Sequence, residues 1–332
     1  DLYDGLEYAA KDDAVAGIIV RLGSSQDLNS FFGIWNFREC IKKFKENGKK
    51  TIAYNECFGE NGETLFSYYA VSAFDEIHFP STMFVPITGS MFTSAFFNKL
   101  LEDKLDIQVQ ILQREKYKNA ANSYKNRSFT PEHKEQMERL QSEILGIIFS
   151  DIAEDRGMTT DQVRDLISKG NFRSEEAMEV GLITHIGFRD SAYNSAASHV
   201  GKKIENLNLM FFSIYNKRFN KDKNFRSMLP WTKKIAVIHL NGAIMSSTES
   251  DSKKIFSDET ACTLRAARLD SKISAVILCM NSPGGSANAS SSLLREIILL
   301  KESGKKIVVY QTHVAASGGY MVALPATKIV AN

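Results

Sequence analysis

Short apolar runs alternate along the chain with stretches in which apolar residues return every three or four positions. Ala16 to Leu22 (AGIIVRL) is a run of the first kind, with β-branched residues, and reads as a buried strand. Ile34, Phe37, Ile41 and Phe44 then recur at helical spacing, and Gly48 is placed to end that helix. Thr51 to Tyr54 and Glu76 to Phe79 read as two more strands, while Ile107-Gln108-Val109-Gln110-Ile111 alternates as a half-exposed strand does. The middle of the chain turns helical. Thr130 and Pro131 make an N-cap and first helical position, Met137, Leu140, Ile144, Ile147, Ile148 and Ile152 form one face, and Gly157 follows the end. Thr159 to Gln162 is a capping box for Val163, Leu166 and Ile167, closed by Gly170, and Ser174 to Gly181 reads as a short third helix.

The strand and helix pattern then starts again. Ser274 to Met280 (SAVILCM) echoes AGIIVRL, and Leu293, Leu294, Ile297 and Ile298 supply another amphipathic helix. Glu302-Ser303-Gly304-Lys305-Lys306-Ile307-Val308-Val309-Tyr310 echoes Glu46-Asn47-Gly48-Lys49-Lys50-Thr51-Ile52-Ala53-Tyr54, and the helix at Leu264 to Asp270 echoes Leu6 to Asp12. The offset stays near 256 to 258 residues, too long a period for a solenoid, and reads as duplication of one strand–helix–strand unit. Strands alternating with helices imply an α/β fold with parallel strands. Ile235 to Leu240 (IAVIHL) forms a strand whose first-copy counterpart would precede Asp1, and the second copy stops after Lys328 to Val330. Both repeats therefore read as truncated at the ends of the fragment.

A chain of 332 residues exceeds the length at which one core usually stops growing. The division expected is an N-terminal repeat with its helical insert over 1–187, a linker over 188–230 rich in Lys, Arg, Asn and Ser, and an incomplete C-terminal repeat over 231–332. A hydrophobic fraction of 43% and a charged fraction of 24% are those of an ordinary globular protein. A net charge of +2, without an aromatic-interleaved basic stripe, gives no reason to expect nucleic acid. Cys40, Cys57, Cys262 and Cys279 lack CxxC or CxxH spacing and read as buried small hydrophobes, and no metal or cofactor is expected. No apolar run reaches the roughly 18 residues of a membrane-spanning helix.

Two turns carry candidate chemistry. Ala315-Ala316-Ser317-Gly318-Gly319-Tyr320 follows the strand Ile307 to Tyr310 and precedes the apolar segment Met321 to Leu324. A Ser at a strand end with two following Gly suits a nucleophile at a sharp strand-to-helix turn, and it equally suits a plain helix cap. Asn281-Ser282-Pro283-Gly284-Gly285 sits between the strand Ser274 to Met280 and a helix, and its Gly pair could expose a backbone N–H to developing negative charge. Parallel neighbouring strands would bring both turns to one sheet edge, where ligands of such sheets gather. His313, four residues before Ser317, is a competing base, but strand geometry aims it elsewhere and no acidic partner completes a triad. His239, inside IAVIHL, reads as a core histidine.

NSPGG followed by AASGGY, after a duplicated domain, resembles signal peptide peptidase A of the long, two-repeat type. This is a serine protease family related in fold to the Clp protease subunit and the crotonases. The similarity includes the helical insert and the EKYKNAANSY stretch. The resemblance implies two tandem Clp protease/crotonase-like repeats and a Ser–Lys dyad. Ser317 falls on the nucleophile, and Lys118 of Tyr117-Lys118-Asn119-Ala120 falls on the general base, with Lys116 its rival and Asn119 a departure from the usual Ser. Gly318 and Gly285 would give oxyanion N–H groups, and Gly284 would line the substrate. The first repeat would thus supply the base and the second the nucleophile. Opposite NSPGG the first copy has Leu22-Gly23-Ser24-Ser25-Gln26, and opposite Ser317 it has about Asn61. An ammonium is no base, so such a lysine must be held neutral; lowering an ordinary lysine to near neutrality takes about 4 kcal/mol of environment.

The resemblance further implies cleaved signal peptides or other apolar peptides as substrates, a homo-oligomer (a tetramer), and membrane association through a missing N-terminal segment. The membrane would be a bacterial inner membrane, or a plastid membrane in a eukaryote, while the fragment itself looks soluble. A further Ser of the family, which steadies the Lys, would lie beyond Asn332, so the fragment is expected to be inactive by itself. The rival readings are a crotonase-type acyl-CoA enzyme and a non-catalytic scaffold of the same fold.

Overall fold

The computed structural model describes residues 2–22, 31–55, 64–218, 233–246 and 253–331. The chain divides into two compact units, Asp1–Met210 and Phe211–Asn332. Both are α/β, and each is built on a parallel sheet.

In the first unit α1 (Leu2–Lys11) leads to β1 (Gly17–Arg21), α2 (Phe31–Glu46), β2 (Lys50–Tyr54), α3 (Thr64–Ser72) and β3 (Glu76–Phe79). Strand β4 (Phe84–Pro86), α4 (Asn98–Leu105), α5 (Asn122–Lys125), the long α6 (Pro131–Arg156) and α7 (Thr160–Lys169) follow. The unit closes with β5 (Asn171–Arg173), α8 (Ser174–Glu179), β6 (His185–Ile186) and α9 (Arg189–His199). Strands β1, β2, β3 and β6 form one parallel sheet in chain order, with Gly17 opposite Lys50 and Ile52 opposite Glu76. The apolar runs become strands because the sheet is covered: Ile52, Ala53, Ile77 and Phe79 are all buried.

The caps read from the sequence hold α6 and α7 in place. The Thr130 hydroxyl accepts from His133 N–H at 3.2 Å, and Gly157 ends α6 in the left-handed region. Thr159 and Gln162 make a reciprocal capping box, with Gly170 after the end of α7. The apolar face of α6 is fully buried only from Ile148 onward. Ile148 and Ile152 are fully enclosed, whereas Leu140 and Ile147 are 48% and 43% exposed.

Several sequence expectations need correction. Ile107 to Ile111 is not a strand. The alternation is there, but among the described residues no neighbouring strand pairs with it, and an unpaired edge has no ladder to make it one. The expected linker over 188–230 begins with a helix, since α9 packs on the sheet through Ala192 and Ala197, both buried among polar neighbours. Of the cysteines expected to be buried, Cys40 is, with burial raising its thiol pKa to about 11, but Cys262 is exposed and Cys279 half-buried. Cys57 lies outside the described residues.

The second unit runs β7 (Lys234–Asn241), β8 (Ala243–Met245), β9 (Lys254–Phe256), α10 (Ser257–Leu269), β10 (Ile273–Ser282), α11 (Ala287–Glu302), β11 (Lys306–Ala315), α12 (Gly318–Ala323) and β12 (Lys328–Ala331). Strands β7, β10, β11 and β12 are parallel and lie in chain order. Val276, Leu278 and Met280 of β10, Leu293 and Ile297 of α11, and Ile307 and Val309 of β11 form its core. Helix α11 packs against α10 and α12, and turns follow directly at the carboxyl ends of β10 and β11.

Candidate active site

Strand β11 feeds directly into Ser317, which precedes the first turn of α12. Its backbone sits at φ 51°, ψ −122°, a sparsely populated conformation for a residue with a Cβ, costing about 1–3 kcal/mol. Its side chain makes no capping bond to α12, so the plain helix-cap reading loses its physical basis. The turn is held by the backbone: Gly319 N–H donates to Ala316 O at 2.9 Å and Met321 N–H to Ser317 O at 3.0 Å. Ser317 is exposed at the end of its strand. A strained, outward-facing Ser between a strand and a helix is the geometry that nucleophilic hydroxyls share on other α/β sheets.

The second turn lies against the first. Gly284 and Gly285 have φ 92° and 155°, backbone that side chains rarely adopt. A methyl group on Gly284 would stand 2.6 Å from Gly318 N, 2.9 Å from Ala316 O and 2.9 Å from Ser317 Cβ. Only a residue without Cβ lets the two turns touch. Gly285 pairs with Ile244 in a parallel bridge: Ile244 N–H donates to Gly284 O at 2.9 Å, and Ser286 N–H donates to Ile244 O at 2.8 Å. In that pattern the N–H of Gly285 itself faces the other way. Gly318 is the first residue of α12, so its N–H has no acceptor inside the helix. Four of the residues singled out in the sequence, Ser317, Gly318, Gly284 and Gly285, are therefore brought together in the second unit.

Lys118 belongs to the first unit, in the irregular segment between α4 and α5, and is exposed. Its neighbours are fastened to the first turns of α6. Tyr117 OH donates to Glu135 Oε2 at 2.9 Å, and Asn119 Nδ2 donates to Gln136 Oε1 at 2.6 Å. Gln113 Nε2 donates to the Lys118 carbonyl at 2.6 Å. The rival Lys116 lies 3.8 Å from the carboxylate of Glu132. Asn119 also accepts from Asn122, so the residue that departs from the family pattern has a structural task. Residues 23–26 and Asn61, the first-copy counterparts of the two turns, lie outside the described residues.

His313 falls in a bulge of β11. Met280 pairs with Gln311 but Ser282 pairs with Ala315, so two residues of β10 face four of β11. Burial lowers the pKa of His313. Another cluster deserves a chemical reading: one ligand atom each of Glu76, His78 and His185 lies within 4.8 Å of the others. The two imidazoles are stacked with planes 7° apart, so their in-plane lone pairs cannot converge on one ion. Glu76 already accepts from Lys50 at 2.8 Å and Ser195 at 2.5 Å. Burial alone would raise its pKa, but these bonds and that from His78 outweigh it and hold the carboxyl down at about 2. The cluster is an internal ion-pair network that fastens α9 to β3.

Sequence reasoning missed Arg38. It is fully buried, with Nη1 donating to Tyr69 O at 2.5 Å and Ser72 Oγ at 2.6 Å, and Nη2 donating to Asp155 at 2.6 Å. It falls on the stripe of Ile34, Phe37 and Ile41, and a cation on an apolar helix face was the available signal.

A parallel α/β unit with a strained, exposed serine against a glycine-built turn at the carboxyl edge of its sheet defines the class. The chain belongs to peptidase family S49, whose model matches residues 43–203 and 299–332. It is 27% identical over 345 residues to Protease 4 of Salmonella typhi, covering all of this chain and 53% of that protein. It is 29% identical to Protease 4 of Haemophilus influenzae, over all of this chain and 54% of that protein. A chloroplastic serine protease SPPA of Arabidopsis thaliana is 27% identical over 98% of this chain and 47% of its own length. The chain thus spans about half the length of these relatives. The family is the one the resemblance implied.

Proposed function

We propose that the protein is a serine endopeptidase in which Ser317 attacks the scissile carbonyl and Lys118 is the general base. The observation that carries this reading is Ser317 itself: a residue with a Cβ at φ 51°, not used as a helix cap, packed on a glycine turn. The neutral amine of Lys118 takes the Ser317 proton as Oγ bonds to the carbonyl carbon. The N–H groups of Gly285 and Gly318 receive the negative charge that forms on the carbonyl oxygen. The ammonium then returns its proton to the leaving amine as the C–N bond breaks, giving an acyl-enzyme, and water attacks that ester with the amine again as base. Gly284 keeps the backbone low enough for an extended peptide to lie across the turn.

The same reading makes each unit one repeat of a Clp protease/crotonase-like fold. In support, Lys49 Nζ donates to Ala9 O at 2.9 Å and also to Asp12 O, closing the end of α1. Lys305, its counterpart in the echoed sequence, donates to Ala267 O and Asp270 O at 2.6 Å each, closing the end of α10 in the same way. The substrates proposed are cleaved signal peptides and other apolar peptides at a membrane, met by a homo-oligomer. Among the described residues no helix is long and apolar enough to cross a membrane.

Substrate class is the test. The complete protein is expected to cleave casein and apolar signal-peptide-like peptides and to leave acyl-CoA thioesters intact. Thioester turnover without peptide cleavage would overturn the reading in favour of a crotonase-type enzyme, and turnover of neither would favour a scaffold.

A further inference from the structure

The residue that sets the aim of the oxyanion hole is Ser282, and we infer that it is a positioning residue for the Gly285 N–H. The inference rests on the serine-peptidase reading above. Ser282 ends β10 and is fully buried, so its hydroxyl is not a surface group left over from a turn. It grips both turns at once. Its Oγ accepts from Gly284 N–H at 3.1 Å, and its carbonyl accepts from Ala316 N–H at 3.0 Å, one residue before Ser317. Its carbonyl also lies only 2.7 Å from where a Cβ on Gly319 would stand, so the start of α12 rests on it.

Consider what orients the peptide between Gly284 and Gly285. The Gly284 carbonyl is fixed on one side by Ile244 N–H at 2.9 Å, and the Gly284 N–H is fixed on the other by Ser282 Oγ. With both Gly residues at positive φ, backbone torsion there is otherwise soft, because glycine has no Cβ to resist it. Remove Oγ, and the Gly284 N–H has lost its acceptor in the interior. Rotating this stretch toward another acceptor is the easiest relief, and it swings the Gly285 N–H off the position where the oxyanion forms. Ser282 is also the first paired residue after the bulge of β11, so it fixes how far along the sheet edge Ser317 stands from Gly285.

The complete protein should therefore lose about 10- to 100-fold in kcat on Ser282→Ala, with KM for a peptide substrate nearly unchanged, as for a weakened hole donor. Affinity for a peptide aldehyde, whose adduct needs the hole, should fall by the same factor as kcat/KM. Ser282→Thr, which keeps the hydroxyl, should recover most of the loss, and Ser282→Cys, which keeps the volume with a poor acceptor, should not. Unchanged kcat and aldehyde affinity in Ser282→Ala would overturn the inference while leaving the serine reading intact. So would a loss that follows only a lower thermal midpoint, with aldehyde affinity preserved. A wild-type protein that cleaves peptides yet ignores the aldehyde would overturn the serine reading and this inference together.

Discussion

Replacing Ser317 with Ala is expected to lower peptide hydrolysis by the complete protein by roughly 10⁴- to 10⁶-fold, the scale on which serine hydrolases lose activity with their nucleophile. The fold should be kept. A helix-capping Ser costs about 1 kcal/mol when truncated to Ala, but Ser317 makes no capping bond to α12, and Ala at the same φ of 51° carries the same strain. The nucleophile and cap readings therefore predict opposite pairs of results. The first gives lost activity with an unmoved unfolding midpoint, the second a lowered midpoint with activity preserved. Steady-state hydrolysis and thermal unfolding on one preparation separate them.

Arg38→Ala is expected to carry the largest effect on stability, about 3–5 kcal/mol, because it strands a buried anion. The guanidinium is 1% exposed and the Asp155 side chain 4% exposed, and the pair is 2.6 Å apart. The cation also stacks 3.9 Å from the Tyr69 ring, while Tyr69 OH donates to Asp151 at 2.5 Å. One side chain thus joins α2, α3 and α6, and α6 in turn holds the segment of Lys118 through Glu135 and Gln136. Denaturant unfolding measures the effect. A double replacement, Arg38→Met with Asp155→Leu, should regain a good part of the loss because no charge is left alone. A loss below about 1 kcal/mol for Arg38→Ala would mean the pair is solvated, against the burial seen here.

The sheet strands were legible because they are short continuous apolar runs that needed no partner information to be read: TIAY is buried throughout, GIIV is half-buried along its length, and AVILCM alternates buried with half-buried positions. The ends of α6 and α7 were legible because capping is local chemistry, written in Thr130, Gly157, Thr159 and Gly170. What failed depended on partners far along the chain. Ile107 to Ile111 has a strand's alternation but no described neighbour to pair with. Helix α9 hides its apolar face in two alanines, Ala192 and Ala197, too small to mark a periodicity. At the site, the two motifs announced that both turns follow neighbouring strands, and parallel pairing of β10 with β11 places them together. The strain at Ser317 and the double grip of Ser282 could not be read, since a dihedral angle and a hydrogen bond across the sheet leave no mark in residue spacing. Lys118 is one of 41 Lys and Arg residues, and only the resemblance picked it out.

The dyad itself is tested most directly by the rate at which a fluorophosphonate attaches to the complete protein, with the adduct mapped to its residue. The account predicts a single adduct on Ser317, formed at least about 100-fold more slowly in Lys118→Met, as expected when a general base is removed, and at an unchanged rate in Lys116→Met. Labelling of Ser317 at the wild-type rate in Lys118→Met, or an adduct on another residue, would contradict it.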